Sequence, residues 1–351
     1  MIFDSKEIAG FSRFWNPYVL INRNTQNIRD YMKKLFAALI GLSLCLSVSV
    51  QAKTYRISVN QFVEHPALDA VLKGFQDSLK AQNVDVDYKV HNAQANMGTA
   101  NQIAQQILGE KPDLILAIAT PTAQACAQAL KKAPKNLQRT LLFTAVTDPV
   151  SAGLVKSWEK PGKNITGVSD LLPIKKHMTM LRTFFPKLKK LGVIYNSGEA
   201  NSKVLVKMIK KQGSEMGFQV VEATASKSSE VYQAAKSLVG RAEAAYIPTD
   251  NTVVSAFESA VKVGRQNQLP IFAADVASVP RGAVAAMGFD YYKHGYQTGV
   301  MAKKILEGAN PATTPVETQD QLLLHLNLSA AKAMGVTVPQ SLIQKADKVI
   351  K

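Results

Sequence analysis

Short, almost wholly apolar runs alternate with longer amphipathic stretches along most of this chain, and the alternation itself repeats. The apolar runs are Tyr55–Val59, Val84–Tyr88, Asp113–Ala119, Thr140–Ala145, Leu191–Tyr195, Phe218–Val221, Ala244–Ile247, Pro270–Ala273 and Ala283–Met287. Helical spacing of apolar residues covers 66–82, 98–109, 122–132, 202–216, 228–239 and 253–266. Strands with so few polar positions are buried on both faces. Separated by helices, they predict parallel sheets covered by helices on either side.

The repeat sets the number of lobes. Leu114–Thr122 with its following helix mirrors Ala244–Asp250 with its own, and each is preceded by a strand and a helix. Downstream, Leu141–Asp148 mirrors Pro270–Asp275. Four units keep one order at an offset of roughly 130 residues, which points to duplication and two like lobes. The expected fold class is α/β, two Rossmann-like lobes with parallel sheets flanked by helices. In open α/β sheets ligands bind beyond the carboxyl ends of the strands. The positions to examine are therefore Gln61–His65, Thr120–Ala123, Thr147-Asp148, Ser197–Asn201, Thr249–Asn251, Asp275 and Asp290.

Residues 32–52 read as a secretory signal peptide. Lys33 and Lys34 precede an apolar run from Leu35 to Val50, which ends in Val50-Gln51-Ala52 with small residues at both recognition positions. Leu44 before Cys45 argues against lipid attachment. Residues 1–31 show no sustained period and read as an upstream extension, with Met32 the expected initiator. The expected product begins at Lys53, exported to the periplasm after cleavage behind Ala52.

That product has 299 residues, enough for two lobes, and keeps +13 of the formal charge of +16. The charge comes from dispersed lysine pairs such as Lys131-Lys132 and Lys303-Lys304, without interleaved aromatics. Solvated helix faces explain it, and no nucleic-acid partner is expected. Only Cys126 remains after cleavage, so no intrachain disulfide is expected.

Several loops carry chemistry. Ala119-Thr120-Pro121-Thr122-Ala123 opens a helix, and its N–H groups and positive dipole end either are capped locally or receive an anion. Pro248-Thr249-Asp250-Asn251 occupies the same place in the second repeat and adds a carboxylate. Opposed starts of this kind would suit a zwitterion, its carboxylate on the first and its ammonium on Asp250. His65 is a candidate base or metal ligand, but no His, Cys or acidic partner stands at metal spacing. Asp290 either caps the helix that follows or meets a ligand, and Tyr291 and Tyr292 either pack or wall an aromatic pocket. Nucleophile elbows, phosphate loops and dinucleotide fingerprints do not occur. No cofactor or metal is expected, and no catalytic constellation.

Five stretches in order resemble one family: Val63-Glu64-His65-Pro66-Ala67-Leu68-Asp69, Ala119–Ala123, Val146-Thr147-Asp148-Pro149-Val150, Pro248–Asn251 and Gly288-Phe289-Asp290-Tyr291-Tyr292. They resemble periplasmic substrate-binding proteins of ABC transporters with a type I fold, in the branch that includes tryptophan- and other aromatic-amino-acid-binding members. The resemblance implies a three-crossing hinge, near Thr166–Asp170, Ala285–Asp290 and Glu307–Thr313. Lobe one would comprise 53–168 with 288–308, and lobe two 169–287 with 309–351. It implies hinge closure on an amino acid, with tryptophan and phenylalanine the candidates, docking on an inner-membrane ABC permease, and a monomer without enzymatic activity. The candidate ligand contacts are Gln61, Glu64, His65, Thr120, Thr122, Ala123, Thr147, Asp148, Asp250, Asn251, Asp275, Asp290 and Tyr291. A periplasmic sensory receptor of the same fold stays open as an alternative, as does a secreted α/β enzyme using Asp148 or His65.

Overall fold

A computed structural model describes residues 28–36 and 53–351. Residues 28–36 form a helix, α1, exposed throughout. The tripeptide Val50-Gln51-Ala52 and all but the first two residues of the apolar run lie outside the described residues, as do residues 1–27. Among the described residues no helix is long and apolar enough to cross a membrane.

From Thr54 onward the chain forms one unit. Its first half is β1 (Tyr55–Gln61), α2 (Pro66–Ala81), β2 (Val86–Asn92), α3 (Met97–Glu110), β3 (Leu114–Ile118), α4 (Thr120–Lys132), β4 (Thr140–Val146) and β5 (Ile165–Ser169). The second half repeats the series: α5 (Ile174–Phe184), β6 (Lys190–Tyr195), α6 (Ala200–Met216), β7 (Gln219–Thr224), α7 (Val231–Lys236), β8 (Ala244–Ile247), α8 (Asn251–Ser255), α9 (Phe257–Asn267), β9 (Ile271–Ala273) and β10 (Ala285–Gly288). Then come α10 (Tyr291–Leu306), β11 (Glu317–Thr318), β12 (Leu323–Asn327), α11 (Leu328–Ala333), α12 (Gln340–Ile343) and β13 (Lys348–Ile350).

Two sheets result. The first runs β11-β5-β4-β3-β1-β2 with every pairing parallel. The second runs β13-β12-β10-β9-β8-β6-β7, parallel except between β10 and β12. Strands 2-1-3-4-5 of one sheet correspond to 7-6-8-9-10 of the other, the same winding twice. Central β3 and β8 are buried at every position, whereas edge strands β2 and β7 are at most half-buried at nearly every position. Each sheet has its own apolar core: Phe75, Leu116 and Phe143 belong to one, Tyr246, Phe257 and Phe272 to the other.

The lobes exchange a helix. After β5 the chain crosses over, so α5 packs on α6 of the second lobe. After β10 it crosses back, and α10 packs along α2 of the first. Glycines make that second contact close: a Cβ on Gly295 would stand 1.9 Å from the Val71 carbonyl oxygen, and one on Gly74 2.0 Å from that of Tyr292. The third crossing lies at 319–322, not at Glu307–Thr313. Glu317 and Thr318 pair with Val168 and Ser169, and Val316 is buried in the first core, so residues up to 318 stay with the first lobe.

Candidate functional site

A small cavity lies between the carboxyl ends of the two sheets. From the first lobe come His65, Ala67 and Leu68 at the start of α2, Ala145 and Thr147 at the end of β4, and Tyr291 at the start of α10. The second lobe contributes Asn201 from α6, Thr249, Asp250, Asn251 and Val254 from the β8–α8 turn, and Asp275 after β9. Asp170, where β5 hands the chain to the second lobe, completes the wall.

The first-lobe wall is shaped by α10. Tyr291, His294 and Thr298 fall on one helical face, and each reaches β4 or the residue that leaves β5. Tyr291 Oη donates to Asp170 Oδ2 at 2.8 Å, and the hydroxyls of Thr298 and Thr144 meet at 2.9 Å. The Ala145 N–H donates to His294 Nε2 at 3.1 Å. At that point β4 bulges: pairing with β5 shifts between Thr144 and Val146, and Ala145 has φ of 52°. Left-handed backbone at a non-glycine residue is strained and persists only where its surroundings hold it. Here the imidazole holds it, and Thr147 turns toward Asp170, donating to Oδ1 at 3.1 Å.

Burial sets the charges. His294 is pushed down to about 4, so the ring is neutral and Nε2 accepts; its Nδ1 faces the Val168 carbonyl without closing a hydrogen bond. His65 is pushed down to about 3, first by burial and then by Arg281, and its Nδ1 accepts from the Leu68 N–H as the cap of α2. Asp170, Asp275 and Asp250 are all raised above the usual carboxylate range by burial, Asp250 also by neighbouring Glu199. The cavity wall thus holds three carboxyl groups and no lysine or arginine.

Two of those carboxyls are already occupied. Asp250 caps α8 through Val253 N–H and also receives Asn196 N–H and the Ser202 hydroxyl. Beneath it, Glu199 accepts from the N–H and side chain of both Asn251 and Thr252. Asp275 takes the N–H and hydroxyl of Ser278. Asp170 differs, because both its donors are hydroxyls that can rotate.

Beside Asn201 and Thr249 from the strand-end positions, six of the thirteen candidate ligand contacts meet in the cavity: His65, Thr147, Asp250, Asn251, Asp275 and Tyr291. Seven do not line it. Gln61 is tied to Val63 and Asp69, and exposed Glu64 borders a surface groove. Thr122 folds back on the carbonyls of Ile118 and Ala119, Ala123 is core, and Thr120 is buried with its hydroxyl unpartnered. Asp148 caps its own turn through Val150 and Ser151, and Asp290 caps α10 through Lys293. Among the residues missed, Asp170 had a signal: it follows a strand like the others. Ala145 had none, because alanine carries no mark of left-handed backbone. Among the described residues no cluster of His, Cys, Asp or Glu could hold a metal ion.

Residues 56–350 match the family model described as ABC transporter substrate binding protein. The chain belongs to this family. It is 43% identical over 290 residues to the tyrosine-binding protein of Clostridioides difficile, covering 81% of this chain and 82% of that one. Among solved structures, the Streptococcus pneumonia ABC domain in complex with L-Trp is 32% identical and superposes with a TM-score of 0.80, covering 85% of this chain and all of that one. The ligand-free, open structure of a Clostridium difficile substrate-binding protein with adhesive properties, 41% identical at the same coverage, reaches only 0.62.

For this family member the superposition is better on the less identical, ligand-bound relative than on the open, ligand-free one. Contacts across the cleft agree. His65 faces Asn251 and Arg281, and Ala277 of the second lobe packs on the first core. The arrangement is closed.

Proposed function

We propose that this ABC substrate-binding protein captures an aromatic α-amino acid, with Asp170 pairing to the ligand ammonium. The observation that carries the reading is the closed, acid-lined cavity. Three buried carboxyl groups without a basic residue favour a cationic group. Among them only Asp170 is held by hydroxyl donors alone, whereas Asp250 and Asp275 each also hold a backbone N–H. Ala67, Leu68, Ala145 and Val254 offer apolar surface to a ring. The tyrosine-binding relative and the tryptophan complex support the same ligand class.

In this reading residues 32–52 direct export and the protein acts outside the cytoplasm as a monomer. The lobes close on the ligand by hinge motion at 170–173, 289–290 and 319–322, and the closed form docks on the permease. Isothermal calorimetry with a panel of amino acids, sugars and nucleosides tests the ligand class. Aromatic amino acids are expected to bind with the highest affinity. Binding confined to sugars or nucleosides would exclude the amino-acid reading while leaving the family untouched.

A further inference from the structure

Asn201 stands in the second-lobe wall of the cavity, only 3% exposed. Its amide nitrogen has three acceptors: the Thr249 carbonyl at 2.9 Å, Glu199 Oε2 at 3.1 Å and Ser202 Oγ at 3.4 Å. That network leaves one orientation of the amide, because the flipped form would turn Oδ1 onto a carboxylate and a carbonyl. Oδ1 is therefore an acceptor by construction, and no protein donor reaches it. The hydroxyl of Thr249, also in the cavity wall, has no partner either. Since the Asn201 amide is bonded to the Thr249 carbonyl, the two unpartnered groups belong to adjacent residues.

Buried polar side chains nearly always find a partner, and an unsatisfied one is destabilising. Both exceptions occur on the same wall, on residues fixed by the turn that starts α8. We infer that Asn201 Oδ1, with the Thr249 hydroxyl beside it, is the acceptor for an N–H or O–H donor of the ligand. The assignment rests on the amino-acid reading and extends it, since Asp170 sits on the hinge side of the cavity and leaves the second-lobe wall unassigned. An ammonium donates to both atoms. A ring hydroxyl donates to Asn201 Oδ1 and accepts from Thr249. Either source completes the site; an apolar group facing Asn201 leaves it incomplete.

The test is calorimetric titration of the wild type, Asn201→Ala and Thr249→Val with L-tyrosine, L-phenylalanine and 3-(4-hydroxyphenyl)propionate. If the donor is the ring hydroxyl, Asn201→Ala weakens tyrosine and the propionate ten- to a hundredfold and leaves phenylalanine unchanged. If it is the ammonium, tyrosine and phenylalanine weaken alike and the propionate is unaffected. Equal affinities for all three probes in wild type and Asn201→Ala would overturn the assignment, as would a uniform loss on all three. Thr249→Val keeps the carbonyl that anchors Asn201 and removes only the hydroxyl, so it gives the same pattern at smaller amplitude should Asn201→Ala fail to fold. If the wild type binds no aromatic amino acid, the ligand-class reading falls, and this assignment with it. If the wild type binds and the variants match it, only the assignment falls.

Discussion

The helices that follow β3 and β8 occupy the same place in the two windings, yet their starts are built differently. The α4 start carries no side-chain cap; Ala119 stands before it at φ 85° and ψ 156°, and Thr122 turns its hydroxyl inward. At α8 the N–H groups are taken by Asp250 and, from below, by Glu199. Only the α8 start reaches the cavity. The two lobes thus share a winding, while the carboxylates at the helix start belong to one lobe alone. The lesson is that a helix start at a strand end is not a ligand site until its donors are shown to be unspent. At α8 they are spent on the protein's own carboxylates.

The largest effect is expected where neither start is involved. Asp170→Asn removes the carboxylate assigned to the ammonium, a charge-assisted interaction of about 1.5–3 kcal/mol, or roughly ten- to a hundredfold in affinity. Because burial disfavours the ionised form, the melting temperature of the free protein should hold or rise. The pH dependence has a definite sign. Ammonium pairing needs ionised Asp170, whose pKa is raised, so wild-type affinity should fall with acidity from a point above the ordinary aspartate value of about 3.9. Asp170→Asn should flatten that slope. Calorimetry across pH reads both, and an unchanged affinity would return the ammonium to the second lobe.

Asp250→Asn sharpens the contrast from the other side. The sequence reading places a ligand ammonium on Asp250; in the fold it is fully buried and holds three donors of its own lobe. An asparagine can accept through one oxygen only, leaving a donor facing donors. Loss of this kind is worth about 1–2 kcal/mol, from the cap and the unsatisfied hydrogen bonds. Thermal denaturation without ligand should show a melting temperature lower by a few degrees. An unshifted transition would mean the cap contributes nothing.

What was legible follows from how strongly burial constrains sequence. β3 and β8 are buried on both faces and read as uninterrupted apolar runs, so the two windings are legible in the sequence. The third crossing was not, because β11 is two residues long and Glu317-Thr318 carries no pattern. Strand ends pointed to seven cavity residues, but the rule knows position and not direction: Thr122 and Asp148 follow strands and turn their side chains back on their own loops. Asp170 was legible by the same rule and was assigned to the hinge instead. Its partners, Thr147 and Tyr291, lie 23 and 121 residues away, which no local pattern reveals.

His294 links the first-lobe wall to pH. Its folded value of about 4 lies below the unfolded value of about 6.5, so unfolding takes up a proton between these limits. The stabilisation is full above about 6.5 and is lost as pH falls toward 4. His65 and His177, both pushed down to about 3, act in the same direction. His294→Gln keeps an acceptor for the Ala145 N–H but cannot titrate. The stability lost between pH 7 and pH 5, from urea denaturation, should be smaller in the variant by roughly 2 kcal/mol. Equal losses would show that the imidazole is not neutral in the fold.

The smallest effect tests the α4 start itself. Thr120 is 2% exposed, and its hydroxyl has no hydrogen-bond partner. Valine has nearly the same shape without the oxygen, and a hydroxyl buried without a bond is unfavourable by about 1 kcal/mol or more. Thr120→Val should therefore raise the melting temperature by a degree or two and leave ligand affinity unchanged, since Thr120 does not line the cavity. The opposite result, a stable protein whose affinity drops several-fold, would mean that the α4 start opens to the ligand after all. The two helix starts would then be equivalent in use as well as in topology, and the asymmetry drawn here between the lobes would be lost.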